Sequence, residues 1–168
     1  MGTGTGIDSF NSAKHLPIEE LGAYFVESLT EVIAKVSGFS LDVLSSDIDV
    51  GCDSMIAVMN INGSPKGGMI FLSAVEKDVR ILTSFMTGVA QEEITKDDMY
   101  DTLCELVNMT AGNVKLRISN LDYMFMLSMP FAIAINGENM SIITKPRMSV
   151  ISKVLGNGEI TIKLKVVY

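Results

Sequence analysis

Apolar residues recur at helical spacing in three stretches of the chain, with strand-like runs between and after them. In the first stretch Leu21, Phe25, Leu29, Val32, Ile33 and Val36 gather on one side of a helix that opens at Pro17 and stops at Gly38. Pro17 suits a first helical turn, and Glu19 and Glu20 complement the positive end of the helix dipole. Leu44 to Val50 alternates imperfectly, and Ser54 to Ile61 reads as a strand. The turn Asn62-Gly63-Ser64-Pro65-Lys66-Gly67 then leads into a hairpin partner over Gly68 to Ala74. From Glu76 a second helix carries Val79, Ile81, Leu82 and Phe85 to Gly88, and Gln91 to Asp97 is a loop with Thr95 as a candidate helix cap. After the third helix, Tyr123 to Ile135 is extended and interrupted by Pro130. Met140 to Thr144, Met148 to Leu155 and Ile160 to Val167 complete the strands, the last two joined by Gly156-Asn157-Gly158. This order predicts an α+β (α/β) fold, a mostly antiparallel sheet with helices layered on it. Residues 1–16, rich in Gly, Thr and Ser, are expected to form a flexible N-terminal segment ahead of one domain spanning 17–168.

The third helix, Asp98 to Leu116, has two faces of different character. At about 100° per residue, Met99, Leu103, Leu106, Val107, Thr110 and Val114 fall within roughly a 100° arc that should meet a core. On the other side Asp101, Glu105, Asn108 and Gly112 share roughly a 60° sector. A solvated face would explain the acids. It does not explain Asn108 and Gly112, which are poor helix-interior residues costing from a few tenths to about 1 kcal/mol relative to Ala. Glycine also permits close approach of another backbone.

Composition narrows the chemistry. The chain has 168 residues, 48% of them apolar and 20% charged, which fits one globular domain with a real core. A net charge of −7 disfavours nucleic acid, which is bound by clustered Lys and Arg. No run of eighteen apolar residues suggests a membrane span, and the first residues lack the basic-then-apolar pattern of a secretory signal, so a cytoplasmic location is expected. His15 is the sole histidine, which leaves no Ser-His-Asp or Cys-His site and no His-based zinc. Cys52 and Cys104 read as small buried hydrophobes. Gly2, Gly4 and Gly6 lack the Gly-Lys-Ser/Thr ending of a phosphate loop. Glu92, Glu93, Asp97 and Asp98 are the acids expected around a helix start, and no metal site is expected in this chain. Asp101 and Glu105 as paired glycosidase carboxylates would lack a sugar-stacking tryptophan, of which the chain has none.

Asp101-x-x-x-Glu105-x-x-Asn108, followed by Met109-Thr110-Ala111-Gly112 and by Pro130 twenty-two positions after Asn108, resembles the signature helix of the CheC/CheX/FliY chemotaxis phosphatases. The run Glu105 to Gly112 is most similar to the CheX branch. The resemblance implies hydrolysis of the aspartyl phosphate of a CheY-type response regulator. Asn108 would orient the attacking water and Glu105 would dock to a receiver lysine, with Asp101 and Gly112 binding the partner. It also implies Mg²⁺ held by the receiver and no cofactor bound by this chain. The first helix has no asparagine in Glu27-Ser28-Leu29-Thr30 or Glu31-Val32-Ile33-Ala34, so one site is expected. A homodimer is expected as well, joined through a sheet edge of the β-rich C-terminal half, where Ser149-Val150-Ile151-Ser152 carries no charge. The alternative is a CheX-like binding module that docks a receiver without turning it over, its twelve methionines supplying an adaptable surface.

Overall fold

A computed structural model describes residues 16–45, 54–63, 67–121, 125–133 and 148–168. Helices α1 (Ile18–Ser37), α2 (Glu76–Thr87) and α3 (Lys96–Ile118) form one layer. Strands β1 (Asp42–Ser45), β2 (Ser54–Gly63), β3 (Gly68–Val75), β4 (Phe125–Leu127), β5 (Phe131–Ile133), β6 (Val150–Gly156) and β7 (Thr161–Val167) form one sheet. Its order is β1-β6-β7-β3-β2-β4, with β5 also on β2, and every pairing is antiparallel. The α+β architecture is the one that the periodicity predicts. The expected strand Met140 to Thr144, the Asn136-Gly137 turn, His15 and Cys52 lie outside the described residues, as do residues 1–15 of the N-terminal segment. Leu16, assigned to that segment from the sequence, is buried in the core.

The helices end where glycine allows it. Gly38 and Gly88 close α1 and α2 in the left-handed region, at φ 76° and 73°, and each N–H donates back to a carbonyl of the last turn. Leu21, Phe25, Leu29, Val32 and Ile33 of α1 are buried, as the spacing requires. They meet Met99, Leu103, Leu106, Val107 and Val114 of α3 and one face of the sheet, including Met59, Ile61, Ile70, Leu72, Ile162, Leu164 and Val166. The other face carries a small cluster of Ile56, Val58, Phe71 and Val167.

Pro130 breaks the run along β2 as anticipated. β4 pairs with β2 at Ile61–Gly63, β5 pairs with it at Ile56–Val58, and Ser128 bridges the interruption. The Ser128 N–H donates to the Asn60 carbonyl, and the Asn60 N–H donates to Ser128 Oγ, each at 3.0 Å.

One of the expected C-terminal edge strands is internal: β7 lies between β6 and β3. β1 pairs with β6 only at Val154 to Gly156, so Val150 to Ser152 have a strand beside them on the β7 side alone among the described residues. Among the described residues the edges are therefore β1 with the Val150–Ser152 stretch of β6, and the β4–β5 run. No helix among these residues is long and apolar enough to cross a membrane.

Candidate functional site

Helix α3 is fixed at both ends. At its start Thr95 Oγ1 accepts from the Asp98 N–H (3.2 Å), and Asp98 Oδ2 accepts from the Thr95 N–H (2.8 Å), a reciprocal capping box. These bonds, the Thr95 side chain first, hold the Asp98 carboxyl below the usual aspartate range. Arg80 of α2 ties down the preceding loop by donating to the carbonyls of Gln91 (3.1 Å) and Ile94 (2.7 Å) while pairing with Glu76 (2.9 Å). At the far end Arg117 bonds Glu27 and Glu31 of α1. The two acids that begin the asparagine-free segments of α1 are therefore engaged with α3. Thr30, at the third place after Glu27, donates its hydroxyl to the Val26 carbonyl (2.9 Å).

The cap has consequences that can be measured. Thr95→Ala should destabilise the fold by about 1 kcal/mol in denaturant titration, and should raise the Asp98 pKa in an NMR titration. A carboxyl with a depressed folded pKa stabilises the fold above its unfolded value, near 3.8, and this stabilisation is lost as the pH falls through the folded value. The Asp98 contribution should therefore vanish only in strongly acidic solution.

Between these anchors the two faces separate as the spacing predicts. Met99, Leu103, Leu106, Val107, Thr110 and Val114 are all buried, joined by Thr102, Ala111 and Ile118. Thr110 loses no hydrogen bond in the core, because its hydroxyl donates to the Leu106 carbonyl at 2.7 Å. Asp101, Glu105 and Asn108 are exposed and Gly112 is half-buried, all on the outward side. Among the described residues, none gives the side chains of Asp101, Glu105 or Asn108 a hydrogen bond or ion pair. Asp98, Arg117 and Lys96 on the same helix do have partners. The outward face thus holds two acids and an amide whose bonding capacity remains available.

A groove of about 270 Å³ runs beside this face, lined by Met86, Thr87, Asp98, Asp101, Thr102 and Glu105. Met86 and Thr87 come from the end of α2 and were not singled out by sequence, since only tertiary packing brings them to α3. A larger cleft of about 550 Å³ lies between α1 and β6, but Asp101, Glu105 and Asn108 do not line it. Cys104 is half-buried beside the face, its thiol pushed up by burial and then by the charge of Asp101, which opposes thiolate chemistry. No group of three or more His, Cys, Asp or Glu among the described residues is placed to hold a metal. Glu92 and Glu93 stay in an exposed turn, and Asp98 belongs to the cap.

Gly112 has an ordinary helical backbone, and a Cβ added to it would meet nothing within 4 Å. Neither its own conformation nor its own packing calls for glycine. Gly112→Ala should therefore stabilise the isolated protein by about 0.5–1 kcal/mol, as read in a urea melt. A loss of stability would mean that the position is structurally constrained.

The protein is thus an α+β fold, a helical layer on an antiparallel sheet, with an acid–amide stripe on the outward face of α3. The structure is similar to a CheC-like superfamily protein from Shewanella sp. PV-4 (TM-score 0.76, 19% identity, covering 90% of this chain and 98% of that one). It is equally similar to the chemotaxis protein CheX from Vibrio vulnificus (TM-score 0.76, 16% identity, 88% and 97% covered). A third relative in fold is CheX in the CheX–CheY–BeF₃–Mg²⁺ complex from Borrelia burgdorferi (TM-score 0.71, 17% identity, 87% and 96% covered). A search of curated proteins gives no match. The sequence matches the family described as chemotaxis phosphatase CheX over residues 55–152, more than half of the chain. The chain belongs to the CheX family.

Proposed function

We propose that this protein hydrolyses the aspartyl phosphate of a CheY-type receiver on the outward face of α3. The observation that carries the reading is the juxtaposition of Asp101, Glu105 and Asn108 on one face of a helix pinned at both ends, with their bonding groups uncommitted among the described residues. Family membership and the complex of the Borrelia CheX with CheY support the partner class.

An acyl phosphate is labile, so catalysis needs a positioned water and a suitable field more than a covalent intermediate. A carboxamide both accepts and donates hydrogen bonds while staying neutral. Asn108 accepts from the water and aims its oxygen at phosphorus. The bond between phosphorus and the aspartyl oxygen then breaks, releasing phosphate and the free carboxylate. Glu105, less than one turn away, pairs with a receiver lysine and fixes the reach of the amide. Asp101 extends the acidic surface toward the groove, and Gly112 leaves room for the receiver's backbone. The Mg²⁺ of this reaction belongs to the receiver, and no residue of this chain is assigned to it.

The homodimer belongs to the same proposal, joined through the uncharged Val150–Ser152 stretch of β6, which β1 does not cover among the described residues and where Val150 is exposed. Light scattering should give twice the monomer mass, with the α3 face still open to a receiver. A monomer at micromolar concentration contradicts that arrangement.

The test of function is catalytic ratio. Added at about one-hundredth of the receiver concentration, the protein should clear all aspartyl phosphate faster than the receiver does alone. Receiver binding without acceleration would identify a docking module instead.

A further inference from the structure

The outward stripe of α3 does not end at Gly112. At about 100° per residue Leu116 follows on the same side, one turn further on. It is 72% exposed, although the other aliphatic side chains of α3, such as Leu103, Leu106, Val107, Val114 and Ile118, are buried. Leu116 belongs to neither apolar cluster of the fold. A single exposed leucine is ordinary on a protein surface. This one lies in line with an acid–amide site, and the helix rise places it about 12 Å from Asn108 along the axis.

That distance decides what covers it. A stable interface buries about 800 Å² on each partner, a patch roughly 30 Å across. A globular partner whose reacting group reaches Asn108 therefore extends over Leu116 as well. A second copy of this chain is a poor occupant. A twofold contact through the stripe would set Asp101 and Glu105 against the same acids of the twin, in a chain of net charge −7. A partner offering a cation near Glu105 and an apolar surface further along is complementary on both counts.

We infer that Leu116 is the apolar anchor of the receiver-docking face, received by an apolar recess on the receiver about 12 Å from its phosphorylated carboxylate. The inference rests on the proposed function. Leu116 touches no reacting atom and sets affinity and choice of receiver, so it is a specificity residue.

Leu116→Ala and Leu116→Glu are to be compared with wild type for receiver binding and for phosphate release. The alanine variant should bind roughly tenfold more weakly, the scale of burying a leucine side chain, and the glutamate variant more weakly still. KM should rise while kcat stays at the wild-type value, and the melting temperature should not fall. The loss from Leu116→Ala should be the same at low and high salt, because the substitution removes no charge. Leu44→Glu is the control, since Leu44 is 58% exposed on β1 at the sheet edge away from β4 and β5, and it should leave binding unchanged.

Leu116 variants within twofold of wild type in KM, or an equal loss from Leu44→Glu, overturn the anchor while wild-type turnover upholds the proposed function. A lowered melting temperature in both Leu116 variants also overturns it, by making the residue part of the fold. If wild type neither binds nor dephosphorylates any receiver, the proposed function falls and the anchor with it.

Discussion

Asn108→Ala is expected to slow receiver dephosphorylation by roughly 10²-fold or more, the scale of losing one positioning group, while the receiver still binds. Asn108 is exposed, and among the described residues it has no bonding partner, so its replacement removes nothing from the fold. Alanine also has the higher helix propensity, and the melting temperature should hold or rise slightly. The residual rate reports what docking alone contributes. Asn108→Asp should be nearly as slow, because its charge opposes the phosphoryl oxygens. Turnover of the alanine variant within about threefold of wild type removes Asn108 from the reaction.

Glu105→Ala should instead weaken the complex itself, by about 2–5 kcal/mol, because it leaves a receiver lysine buried without its partner. Turnover should fall with it. The fold should not change, since Glu105 is exposed and points away from the buried stripe of α3. Calorimetric titration with the receiver and a thermal melt separate the two effects. A marked fall in melting temperature with unchanged affinity would make Glu105 a structural residue and break the assignment of the face.

The site was legible in the sequence because it is local. Asp101, Glu105, Asn108 and Gly112 lie on one helix, and the helical period alone puts them opposite Leu103, Leu106 and Val107. The ends of α1 and α2 were legible for the same reason, each marked by a glycine in the left-handed region. The sheet was harder. Ile162, Leu164 and Val166 alternate with Lys163 and Lys165, a pattern shared by edge and internal strands. Only the long-range partners β3 and β6 settle that β7 is internal.

Part of the support around the site was legible: Thr95 caps α3 as its sequence position suggested, while the reciprocal bond from Asp98 that closes the box was not read. Arg80 reaching the carbonyls of Gln91 and Ile94, and Arg117 reaching α1, join residues far apart in the chain. Periodicity carries no information about such contacts. They hold both ends of α3 against its neighbours.

Whether a receiver's aspartyl phosphate is hydrolysed on the outward face of α3 is decided by the single-turnover rate of phosphate loss from a phosphorylated CheY-type receiver, held saturated first with wild-type protein and then with Asn108→Ala. Wild type is predicted to exceed the receiver's own rate by a wide margin, with the alanine variant bound but close to the uncatalysed rate. Equal acceleration by both proteins, or none by wild type, contradicts hydrolysis on that face.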